Sequence, residues 1–223
     1  CPKCGGLGFY IDEETNTTVR CDCGRLDTME YRRRLSNSGI PRKFLNKGFS
    51  DFQVPRGDKV LREVRDSARA YATSFEGEHG IILRGSPGSG KTHIAVAIMK
   101  EVMRRGFTAR YFNTTDLLSE IRETWDRTSD ISEADLLRPV EQADLLVLDD
   151  LGAEQVADWV RDRFYLIINR RYGCNKPVLI TTNCSNAELE ARIGERTVSR
   201  LCEMCDVSFP RFPDVDFRKA MMR

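Results

Sequence analysis

The sequence has almost no net charge, no long apolar run and no internal repeat. Its 35 Lys and Arg residues almost balance its 34 Asp and Glu residues, for a formal net charge of +1. This balance excludes a chain that coats nucleic acid through bulk charge alone, although it permits a local basic patch. No stretch approaches the roughly 18 apolar residues of a membrane span, so no membrane partner is expected. At 223 residues, of which 40% are hydrophobic, the chain is long enough for one full domain and a smaller unit.

Cysteine is concentrated at one end of the chain. Four of the eight cysteines form the pairs Cys1-x-x-Cys4 and Cys21-x-Cys23, each followed by glycine. Four thiolates would hold a structural zinc ion, because no coordination position stays open for catalysis. A segment of about 24 residues buries too little surface to fold alone, and zinc binding would supply roughly 10–16 kcal/mol. Disulfides or free thiols are the alternatives.

The other four cysteines are expected to have different roles. Cys174 and Cys184 flank a predicted buried strand and are expected to be packing residues. Cys202-x-x-Cys205 is another closely spaced pair, but no partner pair lies nearby, so no metal role is expected for it.

An acid-free basic segment follows the cysteine-rich end. Between residues 31 and 48 the chain has six basic residues and no acidic one. The pattern predicts a short helix over 25–36, and Ser-Asn-Ser-Gly followed by Ile-Pro predicts a linker over 37–57. This segment is either a solvated, mobile connector or a contact surface for nucleic acid or an acidic partner.

From residue 58 onward, helical and strand patterns alternate. Asp58 is placed to cap a helix with regularly spaced apolar residues. Short apolar runs predict strands over 80–84, 109–112, 145–148, 177–181 and 206–209. The intervening segments predict helices over 91–105, 115–126, 132–142, 155–172, 186–192 and 195–204. This alternation indicates an α/β fold with a five-stranded parallel sheet in three layers.

A phosphate-binding motif joins the first of these strands to the helix after it. The pattern G-x-x-x-x-G-K-[ST] is matched at every fixed position. Its glycines let successive backbone N–H groups point at phosphate oxygens, and the helix N-terminus adds attraction for the anion. Lys91 would contact the β- and γ-phosphates, and Thr92 would offer its hydroxyl to Mg²⁺. We therefore expect ATP to contact Gly85, Ser86, Pro87, Gly88, Ser89, Gly90, Lys91, Thr92 and His93.

Polar residues end two further buried strands. Asp149 and Asp150 follow the run Leu-Leu-Val-Leu, at the sheet edge where α/β proteins bind ligands. Asp149 is expected to act on Mg²⁺ through water. Asp150 stands where P-loop ATPases of this type place a Glu that activates the attacking water. Asn183, in Thr-Thr-Asn, is expected to contact the γ-phosphate or that water. The alternatives are a capping Asp and a turn-forming Asn.

Four segments together carry a family resemblance: GSPGSGKT from residue 85, DLLVLDDLG from 144, LITTN from 179 and GERTVSRL from 194. With them, the chain from about residue 40 to 218 resembles the DnaC/DnaI/IstB group of AAA+ ATPases. This group comprises bacterial and phage replicative-helicase loaders and transposition-linked relatives. The resemblance implies a P-loop AAA+ fold, here without a full C-terminal lid because few residues follow Asp206.

The resemblance also implies roles for three arginines. Arg196 would be the arginine finger that reaches the ATP of the neighbouring subunit, and Arg200, one helical turn further on, would support it. Arg218 would be the second sensor, contacting the γ-phosphate in the same subunit. A surface salt bridge is the alternative for each. Because a finger supplied in trans makes hydrolysis depend on assembly, we expect a homo-oligomer on ATP binding and a weak monomeric ATPase.

The function implied by the resemblance is that of a cytoplasmic helicase loader in DNA replication, which binds the replicative DNA helicase and single-stranded DNA. DnaI-type relatives carry a zinc-binding module that contacts the helicase, and the reducing compartment of an intracellular ATPase disfavours disulfides.

The implied organisation is a zinc module over 1–24, a basic helix and linker over 25–57 and an AAA+ domain over 58–223. The alternatives are an IstB-like transposition-targeting ATPase and a nucleotide-switched adaptor with little hydrolysis.

A DNA-contacting surface is expected between the second strand and the acidic strand. Arg122, Trp125 and Arg127 lie there, and single-stranded DNA is bound by basic groups with aromatic stacking surfaces. The alternative is an exposed amphipathic helix.

Overall fold

The protein is described from a computed structural model, which covers residues 1–4, 7–12, 15, 17–126, 130–206 and 209–220. Among these residues, no helix combines the length and the apolar character needed to cross a bilayer. The two sheets are an antiparallel hairpin near the N-terminus and a five-stranded parallel sheet.

The helices match the predicted positions closely. They are α1 (Arg25–Ser36), α2 (Lys59–Ser74), α3 (Lys91–Arg104), α4 (Thr114–Glu123), α5 (Glu133–Gln142), α6 (Asp158–Gly173), α7 (Asn186–Ile193), α8 (Glu195–Met204) and α9 (Phe217–Ala220). Asp58 caps α2 as expected, since its Oδ1 accepts a hydrogen bond from the Leu61 N–H at 2.9 Å. Two short 3₁₀ turns, Arg42–Phe44 and Phe49–Asp51, lie between α1 and α2.

The strands confirm the predicted fold class. The hairpin consists of β1 (Phe9–Asp12) and β2 (Thr17–Arg20), and the large sheet consists of β3 (Gly80–Arg84), β4 (Ala109–Asn113), β5 (Leu145–Asp149), β6 (Val178–Thr182) and β7 (Cys205–Asp206). The order of the large sheet is β4-β5-β6-β3-β7, and every pairing in it is parallel. All five strands therefore point their carboxyl ends to one edge, where the phosphate-binding loop begins.

The late strand differs from its prediction. It begins at Cys205, and Phe209 lies outside it, while residues 207 and 208 lie outside the described part of the chain. Pro210 limits how far this strand can extend, because proline has no backbone N–H to donate to a strand ladder.

The large sheet is the middle of three layers. Ile81 and Leu83 of β3 pack into one core with α2 and α3, whereas Ile82 packs into a second core with α4 to α8. Successive strand residues point to opposite faces, so a strand covered on both faces needs apolar residues throughout. This is why the central strands are continuous apolar runs.

The segment over 37–57 is packed against the α/β domain rather than detached from it. Ile40 and Phe52 are buried in its core. The Lys100 ammonium, on α3, donates to the carbonyl oxygens of Leu45 and Lys47 at 2.7 and 2.8 Å. These bonds fix a segment whose basic composition favoured a mobile connector.

The end of the described chain lies along the phosphate-binding loop. The Phe212 N–H donates to the Arg84 carbonyl oxygen at 2.8 Å, and its ring is buried in the core. The Phe217 N–H donates to the Gly88 carbonyl oxygen at 3.2 Å. The C-terminal segment thus forms one wall of the loop.

Candidate nucleotide-binding site

The phosphate-binding loop runs from β3 into α3, and its glycines are required by its geometry. Gly88 and Gly90 have φ angles of 77° and 101°, a region that L-residues with side chains rarely adopt. A Cβ on Gly90 would lie 2.7 Å from the Phe52 ring, and one on Gly88 would collide with the Asp216 carboxylate. The backbone here is therefore closely enclosed by the segments that precede and follow the α/β core.

The Lys91 ammonium lies inside this loop. Its Nζ donates to the carbonyl oxygens of Gly85 and Ser86 at 2.8 and 2.9 Å, and the residue is buried. These bonds hold a positive charge at the N-terminus of α3, where the helix dipole also favours an anion.

Asp149, at the end of β5, is a buried carboxylate that accepts hydrogen bonds from three hydroxyl groups. Thr181 Oγ1 donates to Oδ1 at 2.7 Å, while Tyr111 Oη and Thr92 Oγ1 donate to Oδ2 at 2.7 and 3.1 Å. Burial and the Asp149 carboxylate raise the pKa of Tyr111 well above its usual value, so the phenol remains a donor. The contact to Thr92 joins the two residues expected to hold Mg²⁺.

Asp150 follows with an unusual backbone conformation. Its φ angle is 58°, in the left-handed region that Asp tolerates better than most residues. Its N–H donates to Thr181 Oγ1 at 2.9 Å, and its carbonyl oxygen accepts from Thr114 Oγ1 at 3.0 Å. The side chain is exposed and lines the cavity beside the loop.

That cavity brings together most of the residues expected to bind or hydrolyse ATP. It has a volume of about 300 Å³ and is lined by Phe44, Pro87, Gly88, Gly90, Lys91, Thr92, His93, Asp150, Asn183 and Phe217. Asp149 is connected to the cavity by the hydrogen bond that it accepts from Thr92, one of the lining residues. The sequence did not point to Phe44 and Phe217, which come from the segments before and after the α/β core.

His93 is held at the wall of this site. Its Nε2 donates to the Gly48 carbonyl oxygen at 2.9 Å, and its ring meets Phe52 edge-on at 5.3 Å. Burial lowers the pKa of His93 below its usual value. The imidazole therefore attaches the 3₁₀ segment to α3.

The three arginines have different surroundings in the fold. Arg196 is exposed on α8 and lies outside the set of residues that line the cavity of its own chain. The Arg200 guanidinium stacks over Tyr165 and Tyr172, at 4.6 and 5.7 Å from their ring centroids. Arg218 is the second residue of α9, but its side chain lies outside the described part of the structure.

Two buried residues near Asp150 had no signal in the sequence. Glu154 accepts from the Gly152 N–H at 3.0 Å, and its Oε2 lies 3.3 Å from Thr114 Oγ1, which shares its single proton between Glu154 and the closer Asp150 carbonyl oxygen. Burial raises the pKa of Glu154 above its usual value. A Glu and a Thr in an ordinary loop and helix start give no local pattern that would identify such a contact.

The four N-terminal cysteines converge. All four Sγ atoms of Cys1, Cys4, Cys21 and Cys23 lie within 4.8 Å of one another. Two of the sulfur–sulfur distances are 3.6 and 3.7 Å, close to the roughly 3.8 Å expected of a tetrahedral site with Zn–S bonds of about 2.3 Å. The Gly8 N–H also donates to Cys4 Sγ at 3.3 Å. This donor set fits a structural zinc ion.

The remaining cysteines follow their prediction in part. Cys184 is buried, as expected of a packing residue, but Cys174 is exposed because it follows the end of α6. Within the described ranges, the N-terminal cysteines are the only group of three or more Cys, His, Asp or Glu side chains close enough to share one ion.

The expected DNA surface contains an ordered aromatic cluster. Trp125 is 46% exposed and meets Trp159 edge-on at 5.2 Å. Its indole N–H donates to Glu133 Oε2 at 2.9 Å, and the Arg163 guanidinium lies 5.8 Å from its ring centroid. Arg122 lies in the last turn of α4, while Arg127 lies outside the described residues.

Comparison with known proteins identifies the family. The model of the family described as IstB-like ATP binding protein matches residues 42–204. The replicative helicase loader DnaC of Escherichia coli (strain K12) is 30% identical over 174 residues, which cover 78% of this chain and 70% of that protein. The phage-like element PBSX protein XkdC of Bacillus subtilis (strain 168) is 28% identical over 216 residues, which cover 92% of this chain and 79% of that protein.

Solved structures agree with this assignment. The crystal structure of the DnaC helicase loader has a TM-score of 0.69 and 30% identity, covering 78% of this chain and all of that one (100%). The crystal structure of DnaI has a TM-score of 0.64 and 26% identity, covering 78% of this chain and 94% of that one. The chain therefore belongs to the IstB-like ATP-binding proteins, the DnaC/IstB-like group of AAA+ ATPases.

Proposed function

We propose that the chain is an ATP-hydrolysing helicase loader in DNA replication, which binds the replicative DNA helicase and single-stranded DNA. The observation that carries this proposal is the 30% identity to the Escherichia coli replicative helicase loader over 78% of the chain. The site geometry supports it, because the phosphate-binding loop, an acidic strand end and Asn183 all meet at one cavity.

Hydrolysis in this proposal uses residues that lie around that cavity. The backbone of residues 85–90 and the Lys91 ammonium bind the phosphates. Thr92 and Asp149 would hold Mg²⁺, which would neutralise negative charge on the phosphates. Asp150 accepts a proton from the water that attacks the γ-phosphorus, and Asn183 orients this water. The bond from the γ-phosphorus to the bridging oxygen breaks, giving ADP and phosphate.

Two arginines complete the proposed site. Arg196 contacts the γ-phosphate of a neighbouring subunit, which agrees with its exposure and its absence from the cavity lining of its own chain. Arg218 acts as the second sensor within the same chain. Because the finger comes from a neighbour, ATP binding favours a homo-oligomer and the monomer is a weak ATPase.

The cysteine cluster gives the proposed loader its helicase-binding module. Zinc bound by Cys1, Cys4, Cys21 and Cys23 would hold the β1–β2 hairpin, which has little core of its own. The proposed division is a zinc module over 1–24, a basic helix and connecting segment over 25–57 and the AAA+ domain over 58–223.

Single-stranded DNA is proposed to contact the surface that includes Arg122 and Trp125. The exposed face of Trp125 offers a stacking platform, and Trp159 holds the indole in place. Substitution Trp125→Ala should weaken binding of a fluorescent oligothymidine about tenfold or more without changing ATP affinity, since a stacked base contributes about 1–3 kcal/mol.

Co-elution with the replicative helicase of the same host or phage tests the main proposal. The wild-type chain and the helicase are run together on a size-exclusion column with ATP, with ADP and without nucleotide. We expect a complex, which Cys4→Ser weakens and Cys184→Ser leaves intact. Failure to form a complex in any nucleotide state would contradict the loader function.

A further inference from the structure

Two threonine hydroxyls hold the Asp150 backbone from opposite sides. The Asp150 N–H donates to Thr181 Oγ1 at 2.9 Å, and the Asp150 carbonyl oxygen accepts from Thr114 Oγ1 at 3.0 Å. Both threonines are fully buried (0% exposed). They come from separate elements: Thr181 lies on β6, and Thr114 is the first residue of α4.

The next residue is held in the same way. The Leu151 N–H donates to the Thr181 carbonyl oxygen at 2.9 Å, and its carbonyl oxygen accepts from Thr182 Oγ1 at 2.6 Å. The peptide groups on both sides of the Asp150 Cα are therefore fixed. This matters because Asp150 has a φ angle of 58°, and such conformations persist where the surroundings over-determine them.

The Thr181 hydroxyl also connects the two acidic residues. It accepts from the Asp150 N–H and donates to Asp149 Oδ1 at 2.7 Å. A hydroxyl has one proton to donate and lone pairs to accept, so both bonds can form at once. One side chain thus sets the relative position of the expected Mg²⁺ residue and the expected base.

We infer that Thr114 and Thr181 are positioning residues for hydrolysis, which act by presenting the Asp150 carboxylate to the γ-phosphate side of the nucleotide cavity. This inference rests on the proposed role of Asp150. Neither hydroxyl lines the cavity, so neither touches the nucleotide. The effect of Thr114 on the rate passes through Asp150, whereas Thr181 acts through both Asp150 and Asp149. The effect of Thr114 on ATP affinity is small.

The role of Thr114 is separable because its hydroxyl does not contact Asp149. The substitution Thr114→Val keeps the side-chain shape and removes the hydroxyl, whereas Thr114→Ser keeps the hydroxyl. Thr115→Val is the matched control, because Thr115 lies next in α4 and its hydroxyl donates to Asn113. Steady-state ATPase measurements on the assembled protein give kcat and KM, and calorimetric titration with a non-hydrolysable ATP analogue gives Kd.

We expect Thr114→Val to lower kcat about tenfold or more, because a tenfold rate change needs only about 1.4 kcal/mol. The Kd should stay within about twofold of wild type, and Thr114→Ser and Thr115→Val should keep kcat close to wild type. In the Asp150→Asn background, Thr114→Val should have almost no further effect on kcat, since residues that act through one another are not additive.

The two proposals fail in different ways. If Asp150→Asn keeps the wild-type kcat, the proposed role of Asp150 is wrong, and the inference is wrong with it. If Asp150→Asn lowers kcat while Thr114→Val does not, or if Thr114→Val lowers kcat equally in both backgrounds, only the inference is overturned. Should Thr114→Val not fold, Thr114→Ala makes the same comparison, because it also removes the hydroxyl that contacts Asp150 and leaves the Thr181 contact to Asp149 in place.

Discussion

The phenol of Tyr111 on β4 donates a 2.7 Å hydrogen bond to Oδ2 of Asp149 on β5, the same oxygen that Thr92 contacts. β4 and β5 pair in register, with Asn113 opposite Asp149, so the phenol reaches along the sheet toward the carboxylate. A hydrogen-bond partner of this kind orients a metal-binding carboxylate from behind.

Removal of the Tyr111 hydroxyl should therefore weaken the binding of Mg²⁺. We expect Tyr111→Phe to raise the Mg²⁺ concentration for half-maximal ATPase activity about tenfold, in line with the loss of other contacts that orient metal ligands. The measurement is a Mg²⁺ titration at saturating ATP. Tyr71→Phe is the control, because the Tyr71 hydroxyl donates to the His79 carbonyl oxygen outside the cavity. An unchanged Mg²⁺ dependence in Tyr111→Phe would contradict this role.

The trans arrangement of Arg196 can be tested by mixing two inactive variants. Lys91→Ala removes the phosphate-binding ammonium but keeps the finger, whereas Arg196→Ala keeps the loop but lacks the finger. Each alone should lose most ATPase activity, since arginine fingers contribute about 10³–10⁵ in rate. An equal mixture should recover about a quarter of the wild-type rate, because half of the sites are intact and half of these adjoin an intact finger. A mixture as inactive as its components would exclude a finger in trans.

Zinc content tests the cysteine cluster. We expect about one zinc ion per chain by elemental analysis, a marked loss of zinc in Cys4→Ser, and wild-type content in Cys184→Ser, because Cys184 lies outside the cluster. A strong chelator should make residues 1–24 sensitive to protease. Full zinc content in Cys4→Ser would show that the metal binds elsewhere.

His93 should make stability depend on pH in a definite direction. Burial lowers the pKa of His93 in the folded chain, so between about pH 7 and pH 5 the unfolded state binds more protons than the folded state. The contribution of His93 to the free energy of unfolding is thus present above about pH 6.5 and lost as the pH falls. Urea titrations at pH values from about 7 to 5 should show a larger fall in the free energy of unfolding for wild type than for His93→Gln. An equal fall in the two proteins would contradict the prediction.

The sequence predicts those parts of the fold and site that have a local signal. The central strands were found because burial on both faces requires continuous apolar runs, such as Leu145 to Leu148. The phosphate-binding loop was found because its backbone needs glycine at fixed positions. The cysteine cluster was found because its two pairs have metal-ligand spacing.

Contacts between distant residues had no such signal. Thr181 and Tyr111 are ordinary strand residues in their local sequence, and nothing there shows that their hydroxyls meet Asp149. Lys100 resembles a solvent-exposed lysine on α3, yet it holds the carbonyl groups of the segment before the ATPase core. The β1–β2 hairpin was missed because each of its strands has only four residues, too few to show a clear pattern, and the converging cysteines join its ends.

The proposed loader function can be measured as loading of the replicative helicase onto circular single-stranded DNA. The helicase, the DNA and ATP are combined with the wild-type chain, with Lys91→Ala or with no further protein, and DNA-bound helicase is measured after gel filtration. We expect the wild-type chain to increase bound helicase several-fold and Lys91→Ala to leave it at the level without loader. Equal amounts of bound helicase in all three reactions would contradict the proposal that this chain is a helicase loader.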